Sequence, residues 1–250
     1  MADPVPIRLA ATLMLVRDGE TGLEVFMVAR HRAIEFASGA LVFPGGSVDP
    51  GDAALAEGRY DPREAALRVA ALRETFEECG VLLAREAESE EWLSAERAAA
   101  IGAGTKGAGF AEIVAREKLR LGLDALIPFA HWITPSISAK RFDTAFYIAA
   151  APAGQLARHD GSESVDSVWI SPSMALQAAE RGLYTIVPVT RLNLALLAES
   201  ADVASALNAA RQRRIVTVEP RAEKRERGWR MHIPPEAGYG VDHFELAAPL

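Results

Sequence analysis

Two apolar runs open the chain, residues 7–17 and 23–30, separated by Asp18-Gly19-Glu20-Thr21-Gly22. A polar loop with two glycines between aliphatic runs predicts a β-hairpin. Residues 40–43 predict a short third strand, ended by Pro44-Gly45-Gly46. The period then changes. Ala65, Val69, Leu72 and Phe76 recur at helical spacing and share one stripe. Asp61 is placed to cap that helix, Pro62 to take its first position, and Glu64 to complete a capping box. Gly80 is placed to stop it in a left-handed conformation.

Residues 84–122 are rich in Ala, Glu and Arg at helical spacing, interrupted at 102–109. Apolar strands return at 126–134, 142–150 and 168–170. Helices are predicted over 173–181 and through roughly 190–212, and β-like segments at 215–218 and 229–233. Strands surrounding helices predict one α+β domain over residues 1–250. It carries a helical insertion at about 84–122 and a C-terminal extension at about 201–250.

Composition narrows the function. Half of the 250 residues are apolar and 24% are charged, enough for an ordinary core. Lys and Arg number 27 against 34 Asp and Glu, a net charge of −7, which argues against broad binding to nucleic acid. The single cysteine, Cys79, excludes an intramolecular disulfide and a multi-cysteine metal site. The five histidines show no zinc spacing. No apolar run reaches membrane-spanning length, and the acidic start lacks a basic leader, so the expected setting is soluble and cytoplasmic. Gly102-Ala103-Gly104-Thr105-Lys106-Gly107 fits a dinucleotide fingerprint but follows no strand, so it reads as a link between inserted helices. The basic stretch 211–230 reads as a solvated surface or a docking face for ligand phosphates.

The chemistry concentrates at Arg73-Glu74-Thr75-Phe76-Glu77-Glu78-Cys79-Gly80. Glu74, Glu77 and Glu78 fall on the side of the helix opposite the apolar stripe. Carboxylates so spaced repel by a few tenths of a kcal/mol per pair, about the size of any i,i+4 pair. A hard divalent cation reverses that sign, because Mg²⁺ takes oxygen ligands. Arg73 stands four residues before Glu77, within reach of an ion pair. Taken alone, such a face is usually solvated. Upstream lies Phe43-Pro44-Gly45-Gly46, whose paired glycines let the backbone approach a ligand with no Cβ in the way.

Together these segments resemble the Nudix box. Gly46 is followed by five residues and Asp52, and the second half is Arg73-Glu74-Thr75-Phe76-Glu77-Glu78-Cys79-Gly80-Val81. Twenty residues separate Asp52 from Arg73 where the family has seven, so the box is interrupted by 13. A parse through Gly58 and Glu64 leaves eight, and Glu64 already serves the helix cap. Asp52 stands for the family's Glu and Thr75 for an aliphatic residue. With Trp132-Ile133-Thr134-Pro135 and Arg141-Phe142-Asp143-Thr144, the interrupted box is similar to that of the peroxisomal coenzyme A diphosphatases. Arg30 and Gly39 match that branch's additional signature, but Glu35 stands where it has an arginine; Arg32 or His31 is the substitute within reach.

The resemblance implies an α/β/α sandwich with a mixed sheet. It implies Mg²⁺ or Mn²⁺ held by Glu74, Glu77 and Glu78 with the Gly46 carbonyl. The implied reaction is hydrolysis of the pyrophosphate bond in a small nucleotide conjugate, coenzyme A or acyl-CoA first, ADP-ribose or NADH as the alternative. A third reading is a Nudix ligand sensor without turnover. Arg30, Arg32, Gly45, Gly46 and Arg141 are the implied substrate contacts. The general base is one of the box glutamates or Glu163. Neither nucleic acid nor membrane is an expected partner, and a homodimer is one assembly the resemblance allows. Trp132 and Phe142 are read as core residues, since aromatics in apolar strands usually bury.

Overall fold

The computed structural model describes residues 5–30, 40–104, 107–155 and 164–247. The hairpin forms as the pattern predicts, from β1 (Ile7–Gly19) and β2 (Gly22–Arg30). The strands are joined in antiparallel register from Val16↔Val25 to Gly19↔Gly22. Short strands β3 (Leu41–Val42) and β4 (Gly45–Ser47) follow. The glycines expected to end a strand therefore make one of their own. β1 serves two neighbours in succession: its later residues pair with β2, while Ala10, Ala11 and Thr12 pair with Ser47, Gly46 and Gly45.

Helix α1 (Pro62–Cys79) has the predicted limits. The Asp61 carboxylate accepts hydrogen bonds from the Arg63 and Glu64 amides at 3.2 Å, and Gly80 closes the helix at φ 70°. The second half of the expected capping box is absent. The Glu64 carboxylate turns forward to Arg68, at 2.6 Å, because a cation one turn on is a stronger partner than a backbone amide.

The insertion holds α2 (Ala95–Gly104) and α3 (Phe110–Arg116), as its spacing predicts. It also holds a ribbon of β5 (Ala84–Glu86) and β6 (Leu119–Leu121), too short to show a period. Then come β7 (Ile127–Ile133), β8 (Arg141–Ala150) and β9 (Ser164–Ile170). Helix α4 (Pro172–Glu180) follows. The helix expected through 190–212 is two, α5 (Pro188–Leu197) and α6 (Val203–Gln212). The break is capped locally: Asp202 and Ser205 form a reciprocal capping box, and Asp18 also accepts the Val203 amide.

After β10 (Thr217–Val218), strands β11 (Arg221–Lys224), β12 (Trp229–His232) and β13 (His243–Leu246) form a separate antiparallel sheet. The central eight-stranded sheet runs β10-β7-β8-β1-β2-β3, with β4 beside β1 and β9 beside β2. It is mixed: β1 and β8 are parallel over ten register pairs, while β7 and β8 are antiparallel.

Both faces of that sheet are covered. On one, α1 packs its stripe of Ala65, Val69, Leu72 and Phe76 against Leu13 and Leu15 of β1, with α2 and α3 in the same core. On the other, Met14 and Val16 meet residues of α4, α5 and α6. Alternation along β1 thus feeds two cores from one strand. Truncating a buried leucine such as Leu72 to alanine costs about 2–5 kcal/mol. Among the described residues, no helix is long and apolar enough to cross a membrane.

Candidate functional site

A cleft of about 830 Å³ opens on the α5 side of the central sheet. Arg8, Ala10 and Thr12 of β1 share its floor with Phe142, Thr144 and Phe146 of β8 and Trp132 of β7. Gly45, Gly46 and Ser47 border one end, and Arg73, Glu74, Glu77 and Glu78 reach that end from the last turns of α1.

β4 meets those turns because its glycines have no side chains. At Gly45 a Cβ would strike the Ala11 carbonyl and the Thr12 backbone; at Gly46 it would come within 2.5 Å of the Glu74 carboxylate. The Gly45 amide donates to Glu78 Oε2 at 2.9 Å. The box glutamates and the paired glycines, more than 25 residues apart in sequence, are thus in contact.

Arg73 organises this end. It is 7% exposed, and its guanidinium binds Asp52 at 3.0 and 3.1 Å, the Ser47 carbonyl at 2.7 Å, Glu74 at 2.9 Å and Glu77 at 3.0 Å. Its pKa is raised further above the ordinary value; these carboxylates outweigh the desolvation that opposes the charge. Asp52, 2% exposed, receives that fork and also accepts the Asp49 amide at 2.8 Å. It anchors the arginine. Thr75, in the place of an aliphatic residue, is fully buried and satisfies its hydroxyl on the Ala71 carbonyl at 2.7 Å.

The three glutamates differ in setting. Glu78 is 6% exposed, the Glu74 side chain 15% and the Glu77 side chain 46%. Partial burial pushes the Glu77 carboxyl above its usual value, with Arg73 opposing and the Asp49 and Asp52 charges adding to the rise. Among the described residues, no three His, Cys, Asp or Glu side chains form a ready-made metal cage. The donor set nevertheless fits a hard divalent ion. It offers three carboxylates on adjoining turns, beside a glycine whose missing Cβ leaves room for Glu74. Arg73 supplies a positive partner to Glu74 and Glu77 in this arrangement.

The other expected contacts are placed unevenly. Arg141 lines the cleft, but its guanidinium is committed to the Thr134 carbonyl at 3.0 Å and to Glu219 at 2.6 Å. The Arg30 backbone ends β2, and its side chain, with Arg32, His31, Glu35, Gly39 and Glu163, lies outside the described residues. Trp132 is buried, as expected of a core aromatic, yet it also faces the cleft; Phe142 is half-buried there. Asp143 turns to the opposite face of the sheet, where it binds Arg63 at 2.7 Å and His131 at 2.5 Å.

Similarity to known proteins points to one family. Residues 53–194, more than half of the chain, match the NUDT19 Nudix domain family. The chain belongs to the Nudix hydrolase family. A NUDIX hydrolase from Alicyclobacillus acidocaldarius is 30% identical, with a TM-score of 0.68 over 82% of this chain and 96% of that one. A nudix hydrolase relative from Caenorhabditis elegans is 29% identical over 78% of this chain. The acyl-coenzyme A diphosphatase NUDT19 of Xenopus laevis is 25% identical over 72% of it. This Nudix chain matches 62% and 61% of the lengths of those two relatives.

Several cleft residues carried no local signal. Arg8 makes no ion pair with a carboxylate among the described residues and sits on the floor. Val187, Pro188, Val189 and Thr190, at the start of α5, form one wall, with Pro220, Phe244 and Leu246 of the C-terminal extension. Nothing in a stretch such as Asp242-His243-Phe244-Glu245-Leu246 marks it as part of a site; only the tertiary fold brings it there.

Proposed function

We propose that this Nudix hydrolase is a metal-dependent diphosphatase. It cleaves the pyrophosphate bond of a nucleoside diphosphate conjugate, with coenzyme A or acyl-CoA as the favoured class. The observation that carries the reading is the meeting of Glu74, Glu77 and Glu78 with Gly45 and Gly46 at one end of an open cleft. The diphosphatase relative at 25% identity supports the substrate class.

Glu74, Glu77 and Glu78, with the Gly46 carbonyl, would hold Mg²⁺ or Mn²⁺. Such an ion neutralises phosphate oxygens and lowers the pKa of a bound water. The chain's own residues then do the positioning, which dominates this chemistry. Arg73 holds Glu74 and Glu77 in place and ties them to Ser47 and Asp52. A carboxylate takes one proton from the attacking water; Glu77, the most open of the three, and Glu163 are the candidates. The water oxygen bonds to one phosphorus as the bridging P–O bond breaks, leaving two phosphomonoesters. Arg8 and Lys140, which line the cleft, and Arg30 and Arg32 are the cations that would face the ligand's phosphates. Arg141 braces the β7–β8 turn. The whole of 1–250 acts as one Nudix domain in this reading.

The test is product analysis with the purified chain, Mg²⁺ or Mn²⁺, and a panel of coenzyme A, an acyl-CoA, ADP-ribose and NADH. The expected result is two phosphomonoesters from coenzyme A or acyl-CoA, abolished by EDTA and restored by metal. Faster cleavage of ADP-ribose or NADH would shift the substrate class. No cleavage, with tight binding of one ligand, would make the chain a sensor.

A further inference from the structure

The far end of the cleft differs in kind from the glutamate end. Between them the sheet runs β4-β1-β8-β7, three inter-strand steps of about 4.8 Å, so roughly 14 Å of floor. A diphosphate seated by the glycines covers only part of that length. The remainder is mostly apolar, with Trp132, Val187, Phe244 and Leu246, and has Lys140 and Arg141 of the β7–β8 turn at its border. Phe244 and Leu246 alternate along β13, so both side chains leave the same face of the C-terminal sheet, the face that meets the cleft.

This wall is anchored. The Trp132 indole N–H donates to the Tyr239 hydroxyl at 2.8 Å, and that hydroxyl donates to Asn193 Oδ1 at 2.8 Å. Floor, tail and α5 are thereby fastened at one point, with the Trp132 and Tyr239 rings 5.3 Å apart. Arg213 adds a hydrogen bond to the Ala237 carbonyl and lies 5.3 Å over the Tyr239 ring. Phe244 packs against the α4–α6 core. An apolar surface held this firmly, continuous with a charged end that takes phosphates, is suited to a ligand that is itself charged at one end and apolar at the other.

We propose that Phe244 and Leu246 of the C-terminal sheet form the specificity wall of this cleft, seating the apolar end group of the conjugate while its diphosphate lies at the glutamates. The inference rests on the diphosphatase reading and deepens it. It assigns the discrimination between acylated and unacylated conjugates to a part of the chain outside the matched Nudix segment 53–194.

The test is kinetic. Wild-type protein with Mg²⁺ is given the unacylated conjugate and thioesters of two and eight carbons, below micelle-forming concentrations. The expected result is a KM that falls at least about tenfold from the short to the longer chain, the effect of burying about two of the six added methylenes. Phe244→Ala and Leu246→Ala should erase that fall while kcat, and KM for the unacylated conjugate, stay within about twofold. A wild-type KM indifferent to chain length overturns the proposal, as does an equal rise for both kinds of ligand. Should Phe244→Ala fail to fold, the wild-type series and the half-buried Leu246→Ala still decide it. Calorimetric binding of the same ligands separates the two readings. If nothing is cleaved, the diphosphatase assignment falls, yet dissociation constants that tighten with chain length would still support the wall and constants that do not would remove it.

Discussion

The two ends of the cleft are built on opposite principles. At the glutamate end, one buried arginine holds four acceptors within about a helical turn of each other, and the apolar atoms nearby only support them. At the tail end, the surface is mainly aromatic and aliphatic, and the polar atoms of Trp132, Tyr239 and Asn193 fasten elements together. The first end tolerates little change, because a buried charge that loses its partner costs more than the pair contributed. The second is more forgiving, since apolar contacts change with area and not with a single bond. On the proposed reading, chemistry and selectivity sit on separate parts of this chain.

The largest effect is expected where the comparison is sharpest. Glu78→Gln keeps the size of the side chain and an oxygen that can accept the Gly45 amide, but removes the charge. Turnover on every conjugate should fall by at least about 10²-fold, as expected when a charged group in the reaction centre is lost. The melting temperature should move only slightly. Steady-state rates with saturating Mg²⁺ or Mn²⁺ check this, and near wild-type turnover would separate the glutamates from the chemistry.

Next in size is Arg73→Ala. It strands Asp52, only 2% exposed, and frees Glu74 and Glu77 from their cation. Urea unfolding should show a loss of about 3–5 kcal/mol. Arg73→Lys should recover only part of it, because an ammonium cannot bridge Asp52 and the Ser47 carbonyl as the planar fork does. A loss below 1 kcal/mol would mean that the glutamate end is less tightly coupled than its geometry indicates.

The smallest effect concerns a relay on the face of the sheet opposite the cleft. Arg63 in the first turn of α1 binds Asp143 of β8; Asp143 binds His131 of β7, which reaches Thr217 of β10 at 2.8 Å. Burial works against the charge on Asp143, but hydrogen bonds from His131 and Arg63 outweigh it and hold its carboxyl below the usual aspartate range. A depressed folded-state pKa contributes stability above the unfolded value, near 4, and that contribution disappears as pH falls through the folded value. Wild-type stability should therefore decline on acidification below about pH 4, and Asp143→Asn should flatten part of that decline while lowering stability at neutral pH. Denaturant midpoints across that range make the measurement. An unchanged acid limb would show that the relay contributes nothing to holding β10, and the sheet that follows it, in place.

Much of the fold was legible along the chain. The hairpin, α1 with both caps, β7, β8 and α4 follow from period, caps and glycine positions. The misses share a cause. β4 is three residues of glycine and serine with no period, recognisable only because β1 offers it an open edge. The break between α5 and α6 hides in a stretch of helix formers, and Asp18, 185 residues away, helps to cap the second helix. β12 forms where a β-like segment was expected, at 229–233, but the insertion's ribbon and the outer strands of the C-terminal sheet, β11 and β13, are three or four residues each, too short for alternation alone to mark them.

By itself, then, the sequence determined the helix that carries three carboxylates, the cap at each of its ends, and the glycine pair that lets a strand approach them. These depend on spacing within one element and on backbone freedom at single residues, and both are written locally. Only the tertiary structure decided that Arg73 would clasp Asp52 and Ser47 as well as Glu77, that Arg141 would brace a turn, and that Phe244 and Leu246 would stand across the floor from the glutamates. The reason is physical. Apolar side chains have no directional preference of their own, so what they face is settled by which surfaces the sheet order and the packed helices leave for them.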